Sequence, residues 1–140
     1  MATPSAPPAP YAFLSYASAD RGQTLAIADR LERAGIRVWV DRHSLVGGQS
    51  WDATIVRAIK DCAVFTVLCS PAAVTSPNVL QELRLAWEER RPILPVLLAP
   101  VTFPDEMRYM LAGRQWVAVL DRPEAAWLPD LLAALAGLGV

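Results

Sequence analysis

The 140-residue chain is poor in cysteine and in charge of either sign. Its two cysteines, Cys62 and Cys69, lie in or beside apolar segments rather than in a CxxC pair, and we interpret them as reduced core thiols. No apolar run reaches transmembrane length, and no basic segment with an apolar core opens the chain as in a signal peptide. The net charge is −1 and the pI about 5.8, which does not favour nucleic acid as a partner. We therefore expect a cytoplasmic protein whose direct contacts include neither membrane nor nucleic acid.

Two kinds of cofactor site are also missing. The single histidine, His43, provides no metal site by itself, and we assign it to the surface of a loop. No G-x-G-x-x-G follows the first apolar segment, which excludes a Rossmann dinucleotide site. The sequence therefore predicts no bound metal and no resident cofactor.

What the chain does contain is material for one compact domain. Hydrophobic residues make up 54 %, charged residues 19 %, and five tryptophans are present, a composition typical of a buried sheet. Residues 1–10 are rich in proline and alanine, and we interpret them as a disordered leader. The domain then spans residues 11–140.

Short apolar segments alternate five times with segments of helical spacing. We predict strands at 11–16, 36–40, 63–69, 93–98 and 115–120, and helices at 24–34, from Trp51 through Ile59, and at 77–89, 105–111 and 124–138. This alternation indicates an α/β fold with helices on both faces of a parallel sheet. Five units suit a flavodoxin-like five-stranded sheet of order 2-1-3-4-5.

Two prolines fall inside these segments. Pro95 cannot donate to a ladder, so we expect it at a bulge or where its nitrogen faces no neighbour. Pro129 is expected to break or kink the last helix.

Glu82 lies on the third helix, which follows the most apolar strand. Ser76 and Pro77 suit the N-cap and first position of that helix. Helical spacing places Glu82 at the edge of the apolar stripe, where we expect it to be half covered. The order 2-1-3-4-5 opens a crevice outside the carboxyl ends of strands 1 and 3. The loop after strand 1, the loop leading to Glu82, and the glycine-containing loop 41–50 should all border that crevice.

The chain resembles the TIR (Toll/interleukin-1 receptor) domain family in three spaced motifs. They are YAFLSYASAD from Tyr11, GIRVWVDRHSLVGGQSWDATI from Gly35, and VLCSPAAVTSPNVLQEL from Val67. Together they cover about residues 11–120. One departure is Asn78, since many enzymes of the family carry tryptophan four residues before the glutamate.

The resemblance implies a function of one of two kinds. Many TIR domains, bacterial ones among them, cleave NAD at the nicotinamide–ribose bond with a glutamate that corresponds to Glu82. The expected products are nicotinamide and ADP-ribose or a cyclic isomer, in bacterial antiviral immune defence. Activity would depend on assembly with other TIR domains and on a fused or separate sensor module. Other TIR domains are non-catalytic scaffolds that bind further TIR domains. The presence of Asn78 favours that alternative.

A single carboxylate suits this reaction. The leaving group of NAD is a pyridinium, which departs as neutral nicotinamide and needs no acid. Ordinary glycosidases, in contrast, use two carboxyl groups. An ionised Glu82 would stabilise the positive charge that develops on the ribose. The alternative is a solvated helix glutamate near Arg84 or Arg90.

Six further residues are candidates for substrate binding, and four of them have a simpler alternative. Tyr16 and Ser18 lie on the loop after strand 1, where we expect their backbone N–H groups to bind phosphates. The alternative is an ordinary turn and helix cap. Arg21 pairs a phosphate, or lies on the surface. Trp51 covers a base or nicotinamide ring, or anchors the second helix. Asp41 ends strand 2 and is expected to order the loop after it. Asn78 occupies the position at which many enzymes of the family have a tryptophan. A phospho-accepting receiver is rejected, because strands 1 and 3 end without clustered aspartates.

Overall fold

The computed structural model describes residues 9–40 and 53–140. Its sheet has five parallel strands in the order β2-β1-β3-β4-β5, which confirms the predicted topology. The strands are β1 Tyr11–Ser15, β2 Arg37–Val40, β3 Val64–Cys69, β4 Ile93–Leu97 and β5 Val117–Ala118. The helices are α1 Arg21–Arg33, α2 Ala53–Asp61, α3 Pro77–Glu88, α4 Asp105–Leu111 and α5 Glu124–Gly137, with 3-10 turns at Ser18–Asp20 and Ala73–Thr75. Residues 1–8 of the predicted leader lie outside the described part of the chain.

Each face of the sheet has its own core. Phe65 and Val67 point to one face of β3 and pack in a cluster with Leu83 of α3. Val64 and Leu68 point to the other face, where the cluster includes α1 and α5. All six residues of β3 are buried, as expected for a parallel strand covered on both sides. Glu82 therefore approaches the sheet from the α3 side.

Helix α1 begins three residues before the predicted start. Asp20 occupies the N-cap position, and the Thr24 hydroxyl donates to the Asp20 carbonyl oxygen at 2.9 Å. The first turn holds the exposed residues Arg21 to Gln23, which carry no apolar periodicity and so no signal of helix. The predicted end at Gly35 is confirmed, since that residue has φ +89° directly after the C-cap.

Gly35→Ala is expected to lower the free energy of unfolding by about 1–2 kcal/mol, because a Cβ strains a left-handed backbone. An added Cβ would meet nothing within 4 Å there, so backbone strain is the whole effect. The matched control is Gly22→Ala in the first turn of α1, which also has open space and no positive φ. It should leave stability unchanged or raise it by up to about 1 kcal/mol. Urea unfolding of both variants measures the difference, and equal losses would contradict the argument.

Both prolines are accommodated without loss of structure. Pro95 pairs in register with Val67 of β3. Leu98 donates to Cys69 in β3, so strand alternation turns the Pro95 nitrogen to the other side, towards β5. Paired residues of β5 begin only opposite Val96, and the missing N–H therefore faces no ladder.

The predicted break at Pro129 is wrong, because α5 continues through it to Gly137. Pro129 is exposed, while Trp127, Leu131 and Leu135 of the same helix are buried in the second core cluster. Burial of these side chains outweighs the loss of one backbone hydrogen bond.

Strand β5 is shorter than predicted. Only Val117 and Ala118 pair with β4, whereas the apolar run suggested six residues. Trp116 is 39 % exposed and makes an edge-to-face contact with Phe103, with 5.3 Å between the ring centroids. Part of the run thus packs on a loop rather than extending the ladder.

The two cysteines are buried free thiols, as predicted. Burial raises the pKa of Cys62 and of Cys69 to about 12, so both are neutral near pH 7. Among the described helices, none is both long and apolar enough to cross a bilayer.

Candidate active site

Glu82 is held at the carboxyl edge of the sheet by helix α3. The helix begins as predicted, with the Ser76 hydroxyl accepting from the Val79 N–H at 3.3 Å and Pro77 in the first turn. Glu82 is only 8 % exposed, so the expectation of a half-covered side chain is wrong. It lies deeper because α3 packs against β1 and β3, and the Glu82 side chain reaches Ser15 at the end of β1.

Ser15 is a hydrogen-bond partner of this carboxylate. Its hydroxyl donates to Glu82 Oε1 at 2.6 Å, and Ser15 is itself 1 % exposed. Ser15 is the last residue of β1 and lies two residues after Phe13, which belongs to the core cluster on the α3 side. Strand alternation therefore points Ser15 at α3. Sequence reasoning missed this role, although a small polar residue ending a buried strand is a usable signal.

The alternative of a solvated Glu82 is wrong. Its proposed neighbour Arg84 binds Glu106 instead, through two hydrogen bonds of 2.6 Å. That pair is about half exposed on both sides, and it leaves the Arg84 guanidinium committed away from the buried face of α3.

A second bond joins the loops after β1 and β3. The Ser70 hydroxyl donates to Asp20 Oδ2 and accepts from the Ala73 N–H at 3.0 Å. Ser70 is 3 % exposed. The sequence suggested Asp20 as a helix cap, and it does hold that position, but its side chain makes no cap bond. It instead ties the two loops that border the predicted crevice.

The other predicted site residues are placed as follows. Tyr16 is 7 % exposed, and its ring packs in the core cluster on the face opposite Glu82. Ser18 and Arg21 are exposed on the loop after β1 and on the first turn of α1. Asn78 is exposed one helical turn before Glu82. Their roles in binding stay predictions.

Part of the predicted site lies outside the described residues. Asp41 and Trp51, with His43, Gly47 and Gly48, fall within 41–52. What the structure brings together is thus Ser15, Asp20, Ser70 and Glu82, at the carboxyl ends of β1 and β3.

Comparison with known families agrees with three features of this chain, which are its sequence motifs, its sheet order and its buried glutamate. A family model described as the TIR domain matches residues 12–133. The chain belongs to the TIR domain family. Its fold is correspondingly shared with solved TIR domains.

Three relatives illustrate the range. A protein of Brachypodium distachyon named probable 2′ cyclic ADP-D-ribose synthase is 31 % identical over an alignment of 108 residues, and the match covers 70 % of this chain and 48 % of the relative. The chain therefore spans about half the length of that relative. The TIR domain of the Toll-related receptor TRR-2 from Hydra magnipapillata superposes with TM-score 0.73 at 22 % identity, covering 89 % of this chain and 97 % of the other. The TIR domains of the activated Roq1 resistosome give TM-score 0.70 at 16 % identity, covering 91 % and 99 %.

The chemistry available to this TIR domain follows from the surroundings of Glu82. A hydrogen bond donated to a carboxylate favours its ionised form, which opposes the effect of burial. A buried ionised carboxylate interacts strongly with positive charge, because little water screens it. The arrangement suits stabilisation of a cation that forms beside Glu82.

Proposed function

We propose that this TIR domain cleaves NAD at the bond between nicotinamide and ribose. The observation that carries the proposal is the buried Glu82 carboxylate, bonded to Ser15 at the sheet edge where ligands of such folds bind. The substrate is NAD, and no further cofactor or metal takes part.

The reaction needs one anionic group. The bond from ribose C1′ to the pyridinium nitrogen breaks, and its electron pair leaves with neutral nicotinamide. The ribose is left as an oxocarbenium-like cation, which Glu82 stabilises electrostatically. Attack by water, with loss of a proton, gives ADP-ribose, and attack by a hydroxyl of the same molecule gives a cyclic isomer. No group has to protonate the leaving base, which is consistent with a site that has a single buried carboxylate among its described residues.

The plant relative supports this assignment. Its name describes the synthesis of a cyclic ADP-ribose, and cyclisation of NAD requires loss of nicotinamide. The match to this chain covers the TIR domain and about half of that relative, so the proposal concerns the domain's own chemistry.

We place this activity in cytoplasmic immune defence, with TIR–TIR assembly and a sensor module as its control. The Roq1 resistosome, whose TIR domains share this fold, is described as activated and as recognising a pathogen effector. Assembly of this chain with its own copies or with other TIR domains would follow the same plan.

Nicotinamide release from NAD, followed by chromatography over a wide range of protein concentration, tests the proposal. We expect release whose rate per molecule rises with concentration, because assembly completes the site. Mass spectrometry separates ADP-ribose from a cyclic product by the mass of one water. If no nicotinamide is released at any concentration, with crowding agents present, catalysis is refuted and the non-catalytic scaffold is favoured. The exposed Asn78, in place of the tryptophan of many enzymes, is consistent with that scaffold.

A further inference from the structure

We propose that Ser15 is the positioning residue of this site: its hydroxyl fixes the orientation of the Glu82 carboxylate and keeps it ionised. The inference rests on the proposed function for its catalytic meaning. Its structural part concerns only two side chains of this chain and can be tested without turnover.

The bond from Ser15 Oγ to Glu82 Oε1 is 2.6 Å long, in the range of charge-assisted O–H···O⁻ bonds. Both residues are buried, so water does not compete freely for either oxygen. Ser15 lies in a strand held on both sides, by β2 and β3. The hydroxyl is thus a rigid reference point, whereas a glutamate side chain alone has three rotatable bonds.

Burial disfavours a charged carboxyl group, and a donated hydrogen bond favours it. The described elements that contact α3 include β1, β3, α2 and α4. Their titratable groups are Tyr11, Cys69, Arg57, Lys60, Asp61, Asp105, Glu106, Arg108 and Tyr109.

The groups on these elements are neutral near pH 7 or exposed to solvent. Burial raises the pKa of Tyr11 and of Cys69 to about 12, so both are neutral near pH 7. The charged side chains of α2 are exposed to solvent. In the loops after β1 and β3, Asp20 is bonded to Ser70.

Without the Ser15 hydroxyl, the ionised form of Glu82 loses a hydrogen-bond donor. Because such a bond stabilises only the charged form, its loss should move the midpoint of the Glu82 titration to higher pH.

The experiment compares Ser15→Ala with Ser15→Thr, which restores a hydroxyl, and with Thr66→Val. Thr66 is a matched control, since its hydroxyl is equally buried on the neighbouring β3 but has no hydrogen-bond partner among the described residues. It lies on the opposite face of the sheet from Glu82, beside Val64 and Leu68. Ser15→Cys, which keeps the size and weakens the donor, serves if the alanine variant does not fold.

The primary readout is the titration of the Glu82 carboxyl carbon, followed by NMR in ¹³C-glutamate-labelled protein and assigned with Glu82→Gln. We expect a higher midpoint in Ser15→Ala, a restored midpoint in Ser15→Thr, and no change in Thr66→Val. An unchanged midpoint in folded Ser15→Ala, or in Ser15→Cys, would overturn the inference.

The kinetic readout is the pH profile of nicotinamide release. In Ser15→Ala the acid limb should move to higher pH by the same amount, and kcat should fall about tenfold or more with KM nearly constant. A fall in activity with an unmoved acid limb would show a structural role only and contradict the proposal. If the wild type releases no nicotinamide, the proposed function fails, and the titration alone then decides whether Ser15 keeps Glu82 ionised.

Discussion

Glu82→Gln is expected to lower the rate of nicotinamide release by about 10²–10³-fold or more while the fold stays intact. The substitution keeps the shape of the side chain, and the amide oxygen still accepts from the Ser15 hydroxyl at the position of Oε1. The negative charge is lost, and the second carboxylate oxygen is replaced by an NH2 donor. Because that charge acts on a ribose that becomes positive in the transition state, kcat should fall more than KM changes.

The matched control is Glu88→Gln, which removes the same charge from the same helix at an exposed position. It should release nicotinamide at the wild-type rate. Circular dichroism and thermal unfolding of both variants establish that α3 is intact. A folded Glu82→Gln that cleaves NAD as fast as the wild type would remove Glu82 from the mechanism.

Phe13→Ala should cause the largest loss of stability, about 3–5 kcal/mol, against the 5–15 kcal/mol typical of a domain. The ring is fully buried in β1 and stacks on Trp39 of β2 at 4.8 Å and on Phe65 of β3 at 5.4 Å. Removing it opens a cavity at the centre of three strands and ends both stacking contacts. The nearest polar residue of the site, Ser15, lies two positions further along the same face.

Phe13→Leu separates volume from stacking, since leucine fills part of the space without a ring. We expect it to recover about half of the loss, as aromatic pairs contribute about 0.5–1.5 kcal/mol beyond burial. Urea unfolding followed by circular dichroism measures both values. A loss below about 1 kcal/mol in Phe13→Ala would mean that the stack is not a part of the core that determines stability.

The order of the sheet was predictable because its signals are local. Each strand is a short apolar run, each helix has its own periodicity, and the alternation of the two admits few topologies. The start of α3 was predictable for the same reason, since Ser76 and Pro77 act within one turn.

The depth and partners of Glu82 were not predictable in this way. Helical-wheel spacing places a residue relative to its own helix, but exposure depends on how closely the helix approaches the sheet. Ser15 and Glu82 are 67 positions apart, and only the register of β1 between its neighbours brings them into contact. Likewise, Pro129 locally disfavours a helix, but burial of the apolar face of α5 outweighs this effect.

The separation between Ser15 and Glu82 also has a consequence for synthesis of the protein. The serine is translated as part of β1, and the glutamate only after β3 has been made. Their contact further requires β3 to pair beside β1, which local folding of either segment cannot replace. A nascent chain therefore carries no assembled site until β3 and α3 have been translated, and the proposed cleavage of NAD is withheld from chains that lack them.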